Sequence, residues 1–166
     1  MGESITFTGN ADRETIYREI APQIESLIAV ETDLIANLAN IAAVLKQALD
    51  FFWVGFYLKR SDQLILGPFQ GPLACTRIGF GKGVCGLAYE RRETIIVSNV
   101  DEFPGHITCS SAVRSEIVVP IFGRDGEVFG VIDVDSDELG DFSKVDAKGL
   151  EQIARSIGQT IPGNEL

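Results

Sequence analysis

A chain of 166 residues with 45% hydrophobic content suits one domain with a sizeable core and leaves little room for a second. Lys and Arg number 14 against 24 Asp and Glu, and the resulting charge of -10 argues against binding to phosphate backbones or anionic lipid. No apolar stretch approaches the roughly 18 residues of a membrane span and the N-terminus lacks a basic start with an apolar run behind it, so a soluble cytoplasmic protein is expected.

Residues 1–11 read as a flexible lead and residues 12–160 as one domain. MGESIT fits the acylation pattern at Gly2, but so short a match arises often by chance and is set aside. From Asp12 the chain reads helical, with Ile16, Ile20, Ile24, Leu27 and Ile28 on one face, and Pro22 is expected to bend this helix or split it in two. Thr32 or Asp33 can cap a second helix, about Asp33 to Leu49, in which Leu34, Leu38, Ile41, Leu45 and Leu49 recur at helical spacing.

The pattern then turns to strands. Phe51 to Lys59 and Leu64 to Gln70 flank a polar turn and predict an antiparallel hairpin. A third strand is expected around Cys75 to Phe80, then a glycine-rich loop, a short helix to about Arg91 and a strand from Thr94 to Ser98. A polar loop with Cys109 leads to a last hairpin, Ile117 to Phe122 with Val128 to Val134, across Gly123-Arg-Asp-Gly126. Ser143 can cap a closing helix that carries Val145, Leu150, Ile153, Ala154 and Ile157 inward. Helices at both ends of a run of hairpins predict an α+β fold with one mainly antiparallel sheet, one face for helices and the other for a pocket.

The segment from Phe103 to Pro120 carries the chemistry. It holds the sole histidine, His106, and sets Cys109 among the hydroxyls of Thr108, Ser110, Ser111 and Ser115, ahead of Glu116. Three cysteines, with no export signal, are expected as reduced thiols, and any disulfide among them as transient and catalytic. A reactive thiol needs a cation or a helix N-terminus to lower its pKa, and Arg77, Lys82, His106 and Arg114 are the cations nearby in sequence. Cys85, flanked by Val84, Gly86 and Leu87, reads as a small buried hydrophobe; Cys75 and Cys109 sit in polar, turn-rich settings.

Asp133 and Asp135 are two apart on the last strand and leave the same face of the sheet. They read either as a solvated strand end or as buried acids awaiting a cation or ligand. Trp53 and Tyr57 share a face of the first strand, either as core or as an aromatic wall. Gly81-x-Gly83-x-x-Gly86 fits the dinucleotide fingerprint in letter, but a hairpin precedes it and the helix is short, so it reads as a tight loop and no nucleotide cofactor is expected. The three cysteines with His106 form no structural zinc spacing, and no metal is assigned.

Taken together, TDLIANLAN, WVGFYL, GPFQGPLACTRIGFGKGVCG, FPGHITCSSAVRSEIVVPI and GVIDVDS resemble, in content and order, segments of the free methionine-(R)-sulfoxide reductases, stand-alone GAF-domain enzymes. The resemblance implies a six-stranded antiparallel GAF sheet, often homodimeric, with the terminal helices on one face. It implies Cys109 as the thiolate that attacks the sulfoxide and becomes a sulfenic acid. Cys75 is then the preferred resolving cysteine and Cys85 the second candidate, with thioredoxin reducing the disulfide. Glu116 and Asp135 match acids that polarise the sulfoxide oxygen, Asp133 an acid that binds the ammonium, and Trp53, beside Tyr57, a wall around the methyl group. Backbone amides from Ser115 to Ile117 would hold the carboxylate. His106 takes a lesser part, because this chemistry needs a carboxylic acid more than an imidazole. The rival readings are a GAF sensor that binds a small effector without turnover, and a thiol-based redox or zinc sensor.

Overall fold

The computed structural model describes residues 4–162; Gly2 of the acylation pattern lies outside them. Helix α1 spans Arg13–Val30 and begins where the Asp12 carboxylate accepts the Thr15 amide. Pro22 lies inside it and neither splits nor ends it. Pro22 is exposed, so its ring sits on the solvent side of the helix and not on the face that packs in the core. The expected lead lies along this helix over residues 4–11, where Thr6 and Thr8 amides donate to Gln23 and Glu19 and Ile5 and Phe7 pack on the core.

Helix α2, Leu34–Leu49, is capped by Asp33 and ends on Asp50 in the left-handed region. Strands β1 (Trp53–Arg60) and β2 (Gln63–Gln70) form the first hairpin, and β3 (Arg77–Gly79) pairs with β2. The third strand is therefore shorter than expected and leaves Cys75 in the loop before it. Helix α3 (Gly83–Arg91) and β4 (Ile95–Val97) follow, then a 3₁₀ turn at Val100–Glu102. Strands β5 (Ser115–Phe122) and β6 (Val128–Ser136) make the last hairpin, and α4 (Lys144–Gln159) closes the chain from a Ser143–Asp146 capping box.

All six strands pair antiparallel in the order β3-β2-β1-β6-β5-β4. The order puts β6 at the centre, beside β1 from the first hairpin. Period-two alternation then sorts the sheet into two faces. Val54, Phe56, Leu58, Ile117, Val119, Ile121, Ile132 and Val134 join the buried faces of α1, α2 and α4 in the main core. Trp53, Tyr57, Val118 and Val131 lie on the other face with Val84, Cys85 and Ala88 of α3. The terminal helices thus share one face, and the other carries the pocket. Among the described residues no helix is long and apolar enough to cross a membrane.

Val145 departs from the expected inward set. It is 37% exposed in the first turn of α4, and the neighbouring Phe142 fills the core there, its ring tilted against Phe51 under the Arg13 guanidinium. The far end of α4 lies flat against β5, where a Cβ on Gly158 would overlap the Phe122 carbonyl oxygen, a backbone atom with no rotamer to escape by. Gly158→Ala should therefore cost about 3 kcal/mol, the upper part of the range for overpacking, read as a lower urea midpoint at unchanged slope.

Candidate active site

Register across three strands assembles the site. Glu116 on β5 lies opposite Asp135 on β6, and Asp135 lies opposite Trp53 on β1, so the three form one row across the sheet. In the next row Asp133 lies between Val118 and Gly55. A Cβ on Gly55 would overlap both Phe69 Cβ and the Trp53 indole, so glycine here lets the indole lie against the sheet. Trp53 stacks on Phe69 with centroids 5.3 Å apart and donates its N–H to the Pro72 carbonyl at 3.0 Å. The Tyr57 hydroxyl donates to the Cys75 carbonyl at 2.8 Å. Two aromatics of β1 thereby tie down the loop that carries Cys75.

Over this floor, α3 brings Cys85 and the 103–114 loop brings His106, Ile107 and Cys109. The sulfurs of Cys75 and Cys109 are bonded, with Cα atoms 5.3 Å apart across 34 residues of sequence. Cys109 is exposed and Cys75 half-buried, so the disulfide lies at the rim of the pocket. Cys85 is buried and free; its thiol donates to Glu116 Oε1 at 3.9 Å. The cavity beneath the disulfide is about 40 Å³, room for about three water molecules.

Glu116 and Asp133 are 6% and 5% exposed, and this excludes the reading of Asp133 as a solvated strand end. Burial, then the nearby Asp135 charge, pushes the Glu116 carboxyl up to about 8. Burial, then Glu116, raises Asp133 well above the usual carboxylate range, and burial, then Asp133, raises Asp135. The Cys85 thiol is raised by burial and by Asp133 and Glu116. Buried acids this close cannot all ionise, so near neutral pH the cluster holds protons that it can give to a ligand. Asp133 Oδ1 is buried with no hydrogen-bond partner. Such an atom is costly to leave unpaired and suits a donor brought by a ligand.

The expected cations are absent from the walls apart from His106; no Arg or Lys is among the described lining residues. His106 Nε2 lies 3.5 Å from Glu116 Oε2, with both side chains largely buried. Burial lowers its pKa, against a smaller upward pull from Asp101. The imidazole is thus a neutral neighbour of the acid. Its position ten residues before Glu116 carried no such signal, since the loop has to fold back to bring the two together. Ser115 and Ile117 point away from the pocket: the Ser115 hydroxyl donates to the Glu138 carbonyl at 2.6 Å, and Ile117 sits in the main core. Only their backbone lies near the pocket floor.

The GAF-domain family matches residues 31–161 of the chain. GAF domain-containing protein A of Dictyostelium discoideum is 52% identical over 158 residues, covering 95% of this chain and 99% of that protein. The free methionine-R-sulfoxide reductase of Escherichia coli is 40% identical over 151 residues, covering 90% of this chain and 91% of that one. Among solved structures, free methionine-R-sulfoxide reductase from Neisseria meningitidis in complex with its substrate is 53% identical, with a TM-score of 0.91 over 95% of this chain and 94% of that one. The chain belongs to the GAF-domain family of free methionine-R-sulfoxide reductases.

Proposed function

We propose that reduction of free methionine-(R)-sulfoxide, the activity of this family, runs here through a sulfenic acid on Cys109 and a disulfide with Cys75 that thioredoxin reopens. The observation that carries the reading is the Cys75–Cys109 bond at the rim of a pocket floored by buried acids. In the first step the Cys109 thiolate attacks the sulfoxide sulfur while Glu116, with Asp135 beside it, gives a proton to the sulfoxide oxygen. The methionine sulfur gains two electrons and leaves as a thioether; the Cys109 sulfur loses two and carries the oxygen as S–OH. The Cys75 thiolate then attacks the Cys109 sulfur and expels that oxygen, which leaves as water after taking a proton. A dithiol reductant returns both cysteines to thiols by exchange.

The remaining residues supply recognition. The orphaned Asp133 Oδ1 suits the ammonium of a free amino acid, which a methionine inside a peptide lacks. Trp53 and Tyr57 suit the methyl end, and backbone amides from Ser115 to Ile117 the carboxylate. Cys85 is the weaker resolving candidate because it is buried and its thiol is directed at Glu116, whereas Cys75 is already paired with Cys109 at the rim. A homodimer and a cytoplasmic setting, where a disulfide can be reopened each turnover, belong to the same reading.

The test separates stereochemistry and substrate form in one experiment. Purified protein with dithiothreitol is incubated with the R and S isomers of free and of N-acetylated methionine sulfoxide, and product is quantified by chromatography. The free R isomer should be consumed, with the acetylated R isomer slower by at least roughly 100-fold, as expected when a buried acid loses its charged partner. Equal rates on free and acetylated forms would remove Asp133 from ammonium recognition, and consumption of neither would leave the sensor readings standing.

A further inference from the structure

We propose that the substrate-free pocket is also a site for a thiophilic divalent cation of the zinc class, held by Cys85 Sγ, a Glu116 carboxylate oxygen and an Asp133 carboxylate oxygen. One potential ligand atom from each of the three lies within 4.8 Å of the others, and all three residues are buried. The Cys85 sulfur stands 3.9 Å from Glu116 Oε1. Around a tetrahedral zinc, with bonds of about 2.3 Å to sulfur and 2.0–2.2 Å to oxygen, neighbouring ligands lie about 3.3–3.7 Å apart, so a contraction of about an ångström sets three of the four ligands and leaves the fourth position to water. The second, independent observation is Asp133 Oδ1, buried without a hydrogen-bond partner on the same floor.

Ligand chemistry selects the class of ion. A thiolate beside two carboxylates suits zinc and its softer neighbours, whereas magnesium and calcium ask for oxygen alone and for more ligands than this cluster offers. His106 stands 3.5 Å from Glu116 Oε2 and would orient that carboxylate from outside the ligand shell. The ligand set leaves out both sulfurs of the disulfide. It also differs from a site built on three cysteines and a histidine: two of those cysteines are spent on each other, and acids replace them. On binding, the thiol and whichever of the two carboxyls are protonated give their protons to solvent, and the cation offsets the negative charge this leaves on the three ligands. A cation held at Asp133 excludes the substrate ammonium, so the ion inhibits by competition; this consequence, unlike the binding itself, rests on the reading of the pocket as the methionine sulfoxide site.

The experiment uses a variant with Cys75→Ser and Cys109→Ser, in which Cys85 is the sole thiol, titrated with Co²⁺ as a spectroscopic stand-in and then with Zn²⁺. One cobalt per chain with a thiolate-to-metal charge-transfer band, displaced by zinc, is expected. Cys85→Ala in that background should abolish the band, and the near-isosteric Asp133→Asn should weaken binding at least tenfold; melting curves identify a variant that has lost its fold. Cobalt bound without the band, bound unchanged in both variants, or not bound stoichiometrically overturns the proposal. Added free methionine-(R)-sulfoxide should release the cobalt. A charge-transfer complex that the sulfoxide leaves untouched upholds the cation site and counts against the pocket as the substrate's.

Discussion

Reduced enzyme carrying Cys109→Ser should convert no measurable free methionine-(R)-sulfoxide, a loss of at least roughly four orders of magnitude, the scale seen when a catalytic nucleophile is removed. The reason is electronic. Two electrons have to leave a protein sulfur for the methionine sulfur, and a serine oxygen at the same place cannot supply them. Cys75→Ser removes a different step and should look different. The first attack needs only Cys109, so this variant should release one methionine per chain in a rapid phase and then stall with thioredoxin as reductant. A small thiol such as dithiothreitol can reduce the sulfenic acid directly and restore slow turnover. Mass spectrometry of the stalled protein should find one added oxygen on Cys109. Full cycling of Cys75→Ser with thioredoxin would pass the resolving role to Cys85. Turnover by Cys109→Ser at the wild-type rate would remove Cys109 from the chemistry altogether. Both comparisons are made on reduced protein, so loss of the disulfide as a brace does not enter.

Much of this arrangement is local, and so it is legible in the sequence. Helix α2 follows from apolar spacing and the Asp33 cap, and both long hairpins follow from alternation broken by turn residues. That Asp133 and Asp135 share a face, and Trp53 and Tyr57 another strand's face, follows from the period of a strand alone. What spacing does not contain is register between strands that are distant in sequence. The row Trp53–Asp135–Glu116 exists because β6 pairs with β1 across more than seventy residues, and no local pattern states that offset. Burial of Asp133 depends on α3 and the 103–114 loop covering the floor, so the choice between a solvated strand end and a buried acid is made only in the assembled fold. The approach of His106 to Glu116 depends in the same way on how the loop folds back. The continuity of α1 through Pro22 turned on which face the proline takes, and the exposure of Val145 on Phe142 having filled the core first. The resemblance carried roles and the fold; spacing carried the elements and the shared faces.

Glu116→Gln should lower kcat by roughly 10²–10⁴-fold while leaving the fold intact, because it keeps the shape of the side chain and removes the proton that the sulfoxide oxygen needs. The pH profile separates this role from a structural one. With its pKa raised from an ordinary 4.5 to about 8, Glu116 stays a neutral acid up to that pH and loses its proton above it. Wild-type kcat/KM, which reports the free enzyme, should therefore fall on an alkaline limb near pH 8, and the residual activity of Glu116→Gln should lack that limb. Stability carries the same sign. A carboxyl whose folded pKa is raised contributes stability that is fully present below the unfolded value near 4.5 and is lost as pH rises through about 8, since folding then buries an anion that the unfolded chain would hydrate. Glutamine cannot ionise, so the variant should lose less stability than wild type between pH 5 and pH 9 and should melt no earlier than wild type at the upper end. An inactive variant that melts as late as wild type at pH 9 has lost chemistry and kept its fold. If the variant retains activity within tenfold, or keeps the limb near pH 8, the proton comes from another group, and Asp135, directly opposite Glu116 in the same row, is the next to replace.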